Sequence, residues 1–78
     1  MRAIIRFSVD SDNNGALRNE LNKVLTDAGF AEAPNTTTYE RHGLQPLSLG
    51  AIVQDFWSTA HHHTGFGRLD HFWMYADR

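Results

Sequence analysis

One carboxylate near the start of the chain is placed to do chemistry. Asp10 closes the run Arg6-Phe7-Ser8-Val9-Asp10, in which Arg6, Ser8 and Asp10 fall on one side of an extended segment. A carboxylate at a strand end, brought by a twofold close to its own copy, can hold Mg²⁺ or Mn²⁺ and activate water for phosphodiester cleavage. Ser8 and Asp10 are the catalytic candidates of that scheme, with Asp10 as metal ligand and Arg6 and Arg41 as phosphate ligands. The competing reading is that Asp10 only begins the loop before a helix. No serine-histidine-acid order can be drawn from acids so thinly spread, and no glutamate is expected on the face that carries the arginines.

The run His61-His62-His63 invites a metal reading, but consecutive helical residues fan out by about 100° and cannot all face one ion. Histidines in a last helical turn oppose the negative end of the helix instead. Thr64-Gly65-Phe66-Gly67 contains G-x-G without the strand-before-helix setting of a phosphate cradle, so it reads as a helix exit.

Composition narrows the classes further. A chain of 78 residues buries only about 60% of its unfolded surface, so residues 1–78 are expected to form one small domain that needs a second subunit or very good packing. With no cysteine, thiolate nucleophiles, disulfide frameworks and cysteine zinc sites are excluded together. A formal charge of -2 lacks the strongly basic balance of a nonspecific nucleic-acid binder, so any such contact must come from a local patch. MRAIIRFSVDSD is too short and too broken by Arg6 for a signal peptide or a membrane span, and a cytoplasmic protein is the expectation.

The positioning elements follow from periodicity. Ala3, Ile5, Phe7 and Val9 alternate with Ile4, Arg6, Ser8 and Asp10, which predicts a strand with one buried face. Asp10 to Gly15 is a loop and helix start, and Leu17, Leu21, Val24, Leu25 and Ala28 recur at helical spacing up to a cap at Gly29. Phe30–Ala33 and Thr36–Arg41 flank Pro34-Asn35 as a hairpin. A second helix runs from about Leu47 to His62 with Leu49, Ile52, Val53, Phe56 and Ala60 inward. The last strand, Arg68 to Ala76, sets Phe72, Met74 and Ala76 against Leu69, His71, Trp73 and Tyr75. The order β-α-β-β-α-β predicts an α+β ferredoxin-like sandwich, two helices on one face of a four-stranded antiparallel sheet.

Such a sheet leaves one side open, and here that side is expected to show Ile4, Leu69, His71, Trp73 and Tyr75. So much apolar surface seldom stays in water. Three readings stand: a homodimer packed sheet to sheet, an aromatic platform on which RNA bases stack, or a docking surface for another protein. The inverse assignment, with Trp73 in the core, is the fourth.

The pattern A-I-I-R-F-S-V-D, a helix ending in Gly29-Phe30, T-T-T-Y at Thr36 to Tyr39 and a closing L-D-H-F-W-M-Y resembles the virulence-associated protein D family and the related small CRISPR-associated ferredoxin-like endonucleases. The resemblance implies a homodimer of apposed sheets and, in the virulence-associated branch, an endoribonuclease acting as a toxin. The family has an acid directly after the first-strand aromatic, where this chain has Ser8, and the acid comes two residues later as Asp10. The alternative of a different class is an inactive interaction module or inhibitor from a phage or other mobile element, docking on a larger protein.

Overall fold

The computed structural model describes residues 1–10, 15–33, 38–63 and 67–78. Its elements are β1 (Arg2–Asp10), α1 (Ala16–Asp27), β2 (Ala31–Glu32), β3 (Thr38–Arg41), α2 (Pro46–His62) and β4 (Arg68–Asp77). The sheet is antiparallel in the order β2-β3-β1-β4, the ferredoxin-like topology expected from the sequence. The loop after Asp10 (11–14), the Pro34-Asn35 turn with Thr36 and Thr37, and the exit at 64–66 lie outside the described residues. Within them, the second strand is shorter than its expected Phe30–Ala33, because Phe30 turns inward as the residue after a helix cap rather than as a strand residue.

That cap shows why α1 stops where it does. Gly29 takes φ 89°, Phe30 N–H donates to Leu25 C=O at 2.9 Å and Gly29 N–H donates to Thr26 C=O at 3.0 Å. This paired pattern needs a left-handed residue, which glycine adopts without a Cβ clash, and it brings buried Phe30 against buried Leu25. α2 begins with Pro46 in its first turn, where the missing N–H costs nothing.

The core lies between the helices and one side of the sheet. Ala3, Ile5 and Phe7 of β1, Leu17, Leu21 and Leu25 of α1, Tyr39 of β3, and Leu49, Phe56 and Ala60 of α2 are all buried. Phe56 is its hinge point: its ring meets Phe7 at 5.2 Å, Phe72 at 5.2 Å and Trp57 at 6.3 Å, while Phe7 stacks on Tyr39 at 5.6 Å. Such tilted and offset pairs add about 0.5–1.5 kcal/mol each beyond their buried area. Coverage fails over the outer half of β4. Met74 and Ala76 lie opposite Ile5 and Ala3, on the helix side as expected, yet both are exposed, Met74 to 40%.

No helix among the described residues is long and apolar enough to cross a membrane.

Candidate functional site on the open sheet face

Register decides which side chains share the open face. Arg2 lies opposite Asp77, Ile4 opposite Tyr75, Arg6 opposite Trp73 and Ser8 opposite His71, while on the other flank Ile4 faces Glu40 and Arg6 faces Thr38. Cross-strand partners point to the same side, so this set forms one surface. The inverse assignment fails with it, since Trp73 is half-exposed and Phe7 is buried.

Two expected members of the surface are elsewhere. Leu69 is paired with Val9, and both pack against the buried core. The cause is a bulge between the Ser8–His71 and Val9–Leu69 pairs, where Asp70 is the extra residue of β4 and reverses the alternation beyond it. Arg41 is paired with Ala3 on the helix side, where its guanidinium donates to Ala28 C=O at 2.6 Å and its chain lies over Gly29. It satisfies a carbonyl left unpaired at the end of α1 and opposes the negative helix end. It is therefore not beside Arg6. Glu40, by contrast, is on the open face, contrary to the expectation that no glutamate would be there, and its carboxylate meets His42 Nε2 at 2.7 Å.

Trp73 and Tyr75 form an aromatic rank on this surface. Their rings are nearly parallel, 11° apart with centroids 6.4 Å apart, and Arg2 stands 5.9 Å over the Tyr75 ring while its guanidinium holds Asp77 at 2.9 Å. The attraction of Asp77 raises the Arg2 pKa above its ordinary value, so the cation is permanent. Arg2 escapes a strand counted from Ala3, although it falls in phase with Ile4 and Arg6. Arg6 has no ionic partner among the described residues. It borders a groove of about 320 Å³ lined also by Phe7, Ser8, His71 and Trp73.

The groove holds Ser8 and His71, and His71 also meets Asp70 beside it, but the order is wrong for a nucleophilic triad. Ser8 Oγ is 3.4 Å and Asp70 Oδ2 is 2.7 Å from the same nitrogen, Nδ1 of His71. A carboxylate only accepts, so Nδ1 carries a proton and cannot take one from Ser8. The other ring nitrogen, Nε2, takes part in neither contact.

Asp10 is exposed at the strand end, where Arg68 donates to its Oδ2 at 3.2 Å. Among the described residues no three His, Asp or Glu side chains gather as a metal group. One arginine-paired carboxylate does not fit a Mg²⁺ or Mn²⁺ centre on its own. The histidine run behaves as a helix end: His61 and His62 occupy the last turn of α2, and His63 Nδ1 meets Thr59 C=O at 2.8 Å.

Comparison with protein-family models, with curated proteins and with solved structures finds no match to this chain.

Proposed function

We propose that the open sheet face binds single-stranded RNA, with Trp73 and Tyr75 stacking successive bases and Arg6 contacting a phosphate. The observation that carries this reading is the pairing of a half-exposed, nearly parallel aromatic rank with an arginine directly across the strand from Trp73 that has no ionic partner among the described residues. Aromatic platforms take any base through its π face, and about 1–3 kcal/mol per stacked base is within reach of two rings. The resemblance to the virulence-associated protein D family supports RNA as the ligand class.

A sheet-to-sheet homodimer is the weaker use of this surface. Without Leu69 the large apolar side chains on the described part of the face are Ile4, Trp73 and Tyr75, whereas apposing it to a copy would bury the Arg2–Asp77, Arg68–Asp10, Glu40–His42 and Asp70–His71 pairs. Desolvating charged pairs costs several kcal/mol per ion unless each is fully satisfied, which three apolar side chains do not offset. RNA laid along the Arg6–Trp73 groove leaves the Arg68–Asp10 and Glu40–His42 pairs in water.

Fluorescence anisotropy of a labelled single-stranded RNA, measured at low and at physiological salt, tests the proposal. Binding that weakens with salt at a slope of about -0.7 per phosphate contacted, and that falls on Trp73→Ala, is the expected result. Undetectable binding at low salt removes RNA and leaves a protein partner as the occupant of the face.

A further inference from the structure

β4 is one edge of the sheet and β2 the other; β4 is ten residues long, and no strand flanks its outer side among the described residues. Its centre carries three consecutive large apolar side chains that are all exposed: Trp73 at 50%, Met74 at 40% and Tyr75 at 44%. Because side chains alternate, Trp73 and Tyr75 are on the open face and Met74 is on the helix side. A ligand on the open face accounts for the first two only. Exposure on both sides of one edge strand is what an additional strand would cover, since it brings side chains to both sides at once. From His71 to Ala76 the strand also lacks the lysine, proline or acidic residue with which edges are ordinarily blunted.

We infer that the edge is covered by a second copy of this chain, β4 pairing antiparallel with β4 about a twofold at Met74, which joins the two four-stranded sheets into one. A twofold normal to the sheet keeps each side chain on its own face and pairs a strand with itself antiparallel. Centred on Met74, it sets Trp73 opposite the second copy's Tyr75, His71 opposite its Asp77, Phe72 opposite its Ala76, and Asp70 level with its Arg78. Aromatic meets aromatic, an imidazole that can donate meets a carboxylate, and Asp70 meets an arginine, each worth a favourable cross-strand pair. Moving the axis to Phe72 sets His71 against Trp73 and Asp70 against Met74; moving it to Ala76 sets Asp77 against Tyr75 and Met74 against Arg78. Of these three registers, the Met74 one is complementary throughout. A core of this size also gains most from a second subunit. The inference does not depend on what the open face binds, and an edge pair leaves that face uncovered.

The absence of cysteine makes the test direct. Met74→Cys supplies a single thiol, and residues directly opposite in an antiparallel pair stand about 4.5–5.5 Å apart at Cα, inside the range a disulfide spans. The wild-type chain should sediment as a dimer at micromolar concentration. In a glutathione redox buffer Met74→Cys should become a covalent dimer at least tenfold faster than Ile4→Cys, which sits one strand inward on the open face. Met74→Lys, with helical and sheet circular dichroism retained, should sediment as a monomer. A wild-type monomer at 100 µM overturns the inference, as does faster cross-linking of Ile4→Cys, which would place the contact on the open face, or a Met74→Lys variant that stays dimeric.

Discussion

The two sides of the sheet use the same kinds of residue to opposite ends. On the helix side, Phe7, Tyr39, Phe56 and Phe72 form a connected ring cluster in which each aromatic is fixed by others. On the open side, the ring contacts of Trp73 and Tyr75 among the described residues are with each other and with Arg2, and charged pairs surround them. An aromatic locked on all sides contributes stability and is unavailable to a ligand, while one held at a single edge contributes little stability and keeps a face for binding. The contrast extends to the arginines: Arg41 on the helix side closes α1, whereas Arg6 on the open side has no ionic partner among the described residues. Substitutions on the helix side should therefore change folding, and those on the open side binding.

The largest effect belongs to Phe56→Ala. Removing a fully buried ring that meets three others should cost about 3–5 kcal/mol and shift the urea midpoint by most of the stability of so small a domain. Next, Arg41→Ala leaves Ala28 C=O without its charged donor and should cost about 1.5–3 kcal/mol in thermal or urea unfolding, while RNA affinity is retained. Trp73→Ala should give the reverse pattern, an affinity loss of about 1–3 kcal/mol in anisotropy with little change in the monomer's unfolding. An Arg41 variant that loses binding but not stability would erase the distinction between the sides.

Two smaller expectations sharpen it. Burial pushes the Tyr39 phenol up to about 12, with the Glu32 carboxylate adding through its charge and a hydrogen bond. Since the unfolded phenol titrates near 10, the unfolded chain releases its proton first, so stability is full below about pH 10 and falls as pH rises towards 12. Urea unfolding across that window should show the fall, and Tyr39→Phe should flatten it. Smallest of all, Asp10→Asn removes an exposed ion pair with Arg68 and should change stability by no more than about 1 kcal/mol. If RNA cleavage is observed and is lost in EDTA and in Asp10→Asn, donors beyond this single carboxylate complete a metal site.

How far the sequence predicts this division depends on the regularity of each strand. Strict alternation from Ala3 to Asp10 places Ile4, Arg6 and Ser8 correctly, and the Gly29-Phe30 pair marks the helix end because only a left-handed cap suits it. Leu69 is misplaced by alternation because a bulge inserts Asp70, and neither glycine nor proline stands there to announce it. Arg41 is legible in principle: Tyr39 is the residue of β3 that must be buried, and Arg41 shares its parity. The Asp70–His71 contact is a product of the same bulge and follows from no spacing rule.

The central claim, that the open-face aromatics receive bases, is most directly tested by the emission of Trp73 itself. The chain has two tryptophans, so Trp57→Phe leaves Trp73 as the sole reporter while keeping an aromatic ring against Phe56 and Phe72. Titration with a single-stranded RNA at low salt should quench that emission to saturation, and added salt should restore it. RNA that binds without quenching Trp73, or a fluorescence unchanged at any RNA concentration, would contradict the account.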